Sequence, residues 1–194
     1  MKSTRLEAFS DGVIAVIITI MVLELHVPAA NGLPGFLTII PKLGIYALSF
    51  LMVAIYWVNH HELLRRSEKI NYRVLWANLL FLFLLSLVPF FTDYAQEKHF
   101  DSFSVSLYTI VMMSSGGAFL VLRLALNQLH KLRGEPLPKQ DRAETIKHVT
   151  SIVLYLAALP VAYYKPVLSL LLNLLVTFIW IAPELGVRRA HSDA

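Results

Sequence analysis

Six apolar runs follow one another along this chain with little sequence between them, and nothing constrains its fold more. Their cores are residues 9–25, 39–58, 74–91, 103–126, 149–164 and 167–183. A hydrocarbon layer of about 30 Å takes about 20 helical residues to cross, so each run is close to one crossing. The runs are continuous where a barrel strand would alternate, and a backbone in lipid must satisfy its own hydrogen bonds, so helices are expected throughout. The fold class that follows is an all-α integral membrane protein, six transmembrane helices in one domain spanning residues 1–194. Only 15% of the 194 residues are charged, against about a quarter in a soluble domain, and the lipid bilayer is the partner this implies.

Lysine and arginine set the orientation, because loops on the cytoplasmic side carry the excess. One side receives Lys2 and Arg5, then Arg65, Arg66, Lys69 and Arg73, then Lys131, Arg133, Lys139, Arg142 and Lys147, and finally Arg188 and Arg189. The other receives Lys42, Lys98 and Lys165. That alternation requires an even number of crossings, so a multi-pass protein of the cell membrane with both termini cytoplasmic is expected. Arg123 fits the same plan, near the cytoplasmic end of the fourth run. The net charge of +4 is dispersed between apolar runs, which argues against nucleic acid as a partner. Met1 to Glu7 is charged and the following apolar run reaches Glu24 without a small-residue cleavage site, so the first segment is expected to stay on the mature protein. With no cysteine, disulfides and thiolate chemistry are excluded.

Turn residues divide the runs. Pro28, Gly32, Pro34, Gly35 and Pro41 are expected to form a loop between the first two, and Pro136 and Pro138 to break the connection before the fifth. Pro89 and Pro160 are expected to bend their helices. Trp57, Trp76, Tyr94, Tyr163 and Tyr164 lie near run ends, where aromatic side chains anchor to the interface.

The first run is unusual. Between Asp11 and Glu24 it has only GVIAVIITIMVL, short for a span facing lipid, and a carboxylate at membrane depth is costly unless paired or hydrated. Asp11 is expected in the first helical turn, at the positive end of the helix dipole. Helical spacing places Gly12, Val16, Thr19 and Leu23 on one stripe. Two readings fit that stripe: a packing seam between helices, or a narrow channel wall in which Val16 and Leu23 exclude water and Thr19 offers oxygen to an ion.

Arg5, Phe9, Ser10 and Asp11, within RLEAFSDGVIAVIITIMVLEL, resemble the RxxxFSD signature that opens the first helix of the endolysosomal transmembrane potassium channel family and its prokaryotic relatives. YALSFLMVAIYWVNHHELLRR and WANLLFLFLLSLVPFFT are similar to that family's second and third helices. The resemblance implies a homotetrameric, potassium-selective cation channel whose pore is lined by the first helix of each chain. It implies pore-lining or gate positions at Val16, Thr19 and Leu23, which coincide with the stripe; the family usually has isoleucine or leucine where this chain has Val16. No TVGYG-type filter occurs, so selectivity is expected to come from elsewhere, and the spacing of Val16 and Leu23 leads to the expectation of a hydrophobic gate on the first helix. The signature residues are expected to act in architecture, with Asn78, His60 and His61 as polar partners for Ser10 and Asp11 at similar depth. Potassium is the permeant species and no cofactor or metal is expected.

Other readings are weaker. His60, His61 and Glu62 would need a histidine where Arg65 stands to make a zinc-protease helix. Asn173, alone in the sixth run, is expected to bond a neighbouring helix. Glu24 and His26 are expected to be solvated on the outer side. A secondary transporter or proton-coupled carrier using Asp11 and His60 would show inverted repeats and broken helices, which are not evident. An enzyme is not expected, since no convergent nucleophile and base appear at membrane depth.

Overall fold

The computed structural model describes residues 3–68, 70–136 and 141–181. Described residues outside turns and connections are helical: α1 (Ser3–Leu23), α2 (Gly32–Arg65), α3 (Tyr72–Leu85), α4 (Val88–Glu97), α5 (Ser102–Leu132), α6 (Asp141–Tyr164) and α7 (Pro166–Ile181). Five passes are long and apolar enough to cross a membrane, α3 and α4 together making one of them, and α7 is a shorter apolar helix ending at the last described residue. The expected six-pass, all-α fold is therefore present. Lys2, Lys69, Pro138, Lys139, Pro183, Arg188 and Arg189 lie outside the described residues.

Proline explains the interrupted third pass. Pro89 has no N–H to bond the carbonyl four residues back, and the chain tightens there, with Leu87 N–H bonding Leu84 O at 3.2 Å before α4 begins. Pro160 stands inside a helix that continues on both sides of it. The loop between the first two passes is shorter than expected. Pro34, Gly35 and Pro41 belong to α2, which begins at Gly32. Pro34 sits in the first turn, where no intrahelical N–H bond is lost. At about 1.5 Å per residue, the 34 residues of α2 span about 51 Å, well beyond the hydrocarbon thickness.

Gly35 is required for packing. A Cβ there would fall 1.8 Å from the carbonyl oxygen of Ala30 and 2.6 Å from its carbon, so backbone would have to move. Gly44, nine residues along the same helix, has nothing within 4 Å of a built Cβ. Gly35→Ala is expected to destabilise the folded protein by about 2 kcal/mol or more, within the range of overpacking effects, while Gly44→Ala stays near wild type. Melting of the detergent-solubilised protein, followed by size-exclusion recovery, separates the two.

The core lies where α2, α3 and α5 meet. Tyr56, Phe81 and Phe119 contact one another with centroids 5.4–5.7 Å apart in tilted and edge-on arrangements. Asn71 and Asp101 cap α3 and α5 by accepting from the N–H of Val74 and Ser104. Gly134, at φ 71°, ends α5 in the left-handed conformation.

Contacts define two ends of the bundle. At one, Ser3 bonds Leu64 O at 3.0 Å, Arg66 pairs with Glu144 at 2.9 Å, and Ser67 bonds His130 at 2.9 Å. Arg65, Arg66, Arg73, Lys131, Arg133 and Arg142 gather there by helix connectivity. At the other, Lys42 pairs with Glu97 at 3.0 Å and Ser102 bonds Tyr163 O at 3.0 Å, with Lys98 and Lys165 nearby in sequence. Tyr163 and Tyr164 are exposed at the end of α6, as interface anchors would be.

Candidate functional site: the first helix and its polar supports

Two faces of α1 have different fates. Ser3, Leu6, Ser10, Ile14, Ile17 and Met21 are buried against the rest of the chain. Arg5, Phe9, Gly12, Val16, Thr19 and Leu23 are exposed. At about 100° per residue the two stripes lie roughly 140° apart around the helix. Val16 is 54% exposed and Leu23 77%, high values for apolar residues on a helix that packs against α2, α3 and α4. An apolar groove of about 680 Å³ runs beside this face, between α1 and α4, lined in part by Phe9, Gly12, Val16, Ile20, Pro89 and Phe90. The Thr19 hydroxyl donates to Val16 O at 2.9 Å within the helix. Its proton is thereby committed, which leaves the oxygen of this exposed residue as an acceptor.

Polar ties of α1 to other elements fall in its first three turns. Ser3 N–H bonds Glu68 O at 3.0 Å, so the start of α1 closes the end of α2. Glu7 pairs with His61 at 2.5 Å. Ser10 donates to Leu6 O at 2.8 Å and accepts from Asn78 Nδ2 at 3.0 Å, while His60 Nε2 and Asn78 Oδ1 are 2.7 Å apart. An amide oxygen only accepts, so His60 Nε2 carries the proton, and donors run in one direction from His60 through Asn78 and Ser10 to the α1 backbone. All three side chains are fully buried. Beyond Asp11, α1 is held by apolar packing of Ile14, Ile17 and Met21.

Asp11 differs from its expected setting in two respects. It lies in the third turn of a helix that starts at Ser3, too far in for the N-terminal dipole, which fades within the first turn. Its partner is Trp57, whose indole N–H donates to Oδ1 at 2.9 Å, instead of Asn78, His60 or His61. Of the residues expected to support the signature, Asn78 meets Ser10, His60 reaches it through Asn78, and His61 meets Glu7. Arg5 and Phe9 lie on the exposed stripe. Glu24 is half-buried and His26 exposed at the far end.

Sequence reasoning missed a charged cluster at the basic end. Arg123, 2% exposed, reaches Thr145 at 2.5 Å and Glu144 at 3.4 Å, and Glu144 also accepts from Arg66. Arginine within an apolar run was the available signal, since a buried guanidinium needs an acidic partner. Asn173 bonds Thr109 on α5 at 3.1 Å, joining helices as expected of it.

A family model described as endosomal/lysosomal potassium channel TMEM175 matches residues 5–89. A protein of Chryseobacterium sp. (strain P1-3) named a potassium channel is 37% identical over 194 residues, 100% of each chain. A protein of Gallus gallus named endosomal/lysosomal proton channel TMEM175 is 23% identical over 188 residues, 91% of this chain and 38% of that protein. Among solved structures, that of a lysosomal potassium-selective channel TMEM175 homolog from Chamaesiphon minutus is similar with a TM-score of 0.75 and 26% identity, covering 92% of this chain and 96% of that one.

Proposed function

The chain belongs to the TMEM175 family, and from that premise we propose that it is a potassium-permeable cation channel of the cell membrane. Four copies surround a central pathway lined by α1, with both termini on the cytoplasmic side. The observation that carries this reading is the exposed stripe of Gly12, Val16, Thr19 and Leu23 on a membrane-crossing helix, facing away from its own bundle. A copy of the same helix is a fitting neighbour for such a face, and a closed ring is the usual way for identical subunits to complete it.

Val16 and Leu23 form a hydrophobic gate in this arrangement. A narrow apolar constriction empties of water, and a cation cannot shed its hydration shell there without replacement. Thr19 lies between them, and its lone pairs supply part of that replacement once the helices separate. Anchoring of α1 by its first three turns leaves the half that carries the gate free to tilt against apolar neighbours. Ions pass without chemistry, so neither a resident cofactor nor a catalytic group is needed; a channel family is not an enzyme class.

Unitary current recording from purified protein in planar bilayers tests the reading. Stepwise currents reversing near the potassium potential are expected, and saturable flux without unitary events would favour a carrier instead. Thr19→Val keeps the shape and removes the oxygen. It is expected to lower the potassium-to-sodium permeability ratio by several-fold, about 1 kcal/mol of lost ion coordination, read as a shift in bi-ionic reversal potential.

A further inference from the structure

The end of α1 opposite the anchored one carries a second constellation. His26, just past α1, and Asp93 and Glu97, one turn apart on α4, bring their ligand atoms within 4.8 Å of one another. Spacing of i and i+4 puts the two carboxylates on one face of α4, and the loop after α1 lowers the imidazole onto it. His26 Nδ1 lies 2.8 Å from the backbone oxygen of Glu24. A carbonyl only accepts, so Nδ1 carries the proton and Nε2 keeps its lone pair; histidine ligands are commonly oriented for metal binding in this way. Asp93 Oδ1 is buried and has no hydrogen-bond partner among the described residues, so this carboxylate of the cluster keeps an acceptor unused. Glu24 lines the same groove as Asp93 and adds negative potential.

We propose that His26, Asp93 and Glu97 form a binding site for a divalent transition-metal cation of the Zn²⁺ class, and that its occupancy clamps the free end of α1 to α4. One imidazole and two carboxylates suit Zn²⁺, which leaves water or a further oxygen to complete four ligands, whereas Ca²⁺ takes six or more oxygens. Metal–ligand bonds of about 2.0–2.2 Å require the three atoms to draw in by about 1 Å, within reach of the exposed His26 and Glu97 side chains. Lys42 competes for Glu97, holding Oε1 at 3.0 Å. The clamping half rests on the channel reading; the binding half does not. Because α1 is otherwise tied to its neighbours in its first three turns, fixing His26 to α4 removes the freedom of the half that bears Val16, Thr19 and Leu23, and Zn²⁺ applied on that side reduces conduction.

Zn²⁺ titration of the purified full-length protein by isothermal calorimetry, with potassium flux from the same preparation in liposomes, tests both halves. One Zn²⁺ per chain is expected. His26→Ala, in an exposed loop, should weaken binding about 10-fold or more, and Asp93→Asn likewise, with unchanged size-exclusion elution. Lys42→Gln should tighten binding several-fold by releasing Glu97, an outcome that general destabilisation would not give. Affinity unaltered in both His26→Ala and Lys42→Gln overturns the site. Zn²⁺ that binds wild type yet leaves flux unchanged in protein that conducts overturns the clamp, and absence of conduction in all preparations counts against the channel reading while leaving the binding result to judge the site.

Discussion

Val16→Asn raises resting potassium flux on the order of tenfold, equivalent to about 1.4 kcal/mol off the barrier at the proposed constriction. The substitution exchanges two methyl groups for an amide of similar volume, so the opening is not widened. What changes is wetting: an amide ring holds water by hydrogen bonds where a valine ring expels it, and a hydrated cation then meets a continuous aqueous path. Folding should tolerate the change, because Val16 is 54% exposed on the face turned away from its own core and has no role in the Ile14, Ile17 and Met21 contacts. Surface substitutions of this type shift stability by about 0.5 kcal/mol or less. Flux into liposomes, normalised to incorporated protein, measures the effect, and an unchanged rate would remove Val16 from the gate.

Asn78→Leu produces the largest loss of stability, about 2–5 kcal/mol, a span covering loss of a buried polar pairing with two partners left unsatisfied. Leucine has the same number and branching of side-chain heavy atoms as asparagine, so no cavity accompanies the change. Ser10 Oγ loses the donor at 3.0 Å and His60 Nε2 loses the acceptor at 2.7 Å, both in surroundings with no solvent access. His60 has no second arrangement to fall back on, since its Nδ1 already lacks a partner among the described residues and its ring is stacked on Phe81 at 5.7 Å. The polar ties left at the start of α1 are then those of Ser3, Glu7 and Asp11. Thermal unfolding of the solubilised protein should show the loss, and Asn78→Asp, which retains the acceptor for His60, should recover part of it. Equal melting of wild type and Asn78→Leu would mean that the network contributes nothing to stability.

Hydrophobic length and helical period are one-dimensional properties of a chain, and everything governed by them was determined by the sequence: six passes, the basic end, and the stripe from Gly12 to Leu23 that the bundle leaves exposed. Asn78 and His60 could be assigned to the depth of Ser10 because depth follows from position along a run. Partner choice is a different quantity, set by how far each helix is rotated and shifted against the next, and only the tertiary structure decided it. Asp11 faces Trp57 because α2 presents its indole at that angle; Glu144 closes on Arg66 and Arg123 because α6 returns beside both; Gly35 sits against Ala30 because α2 begins two turns earlier than its prolines suggested. His26 is far in sequence from Asp93 and Glu97, which stand one turn apart on α4, and packing α1 on α4 is what brings the imidazole beside the two carboxylates.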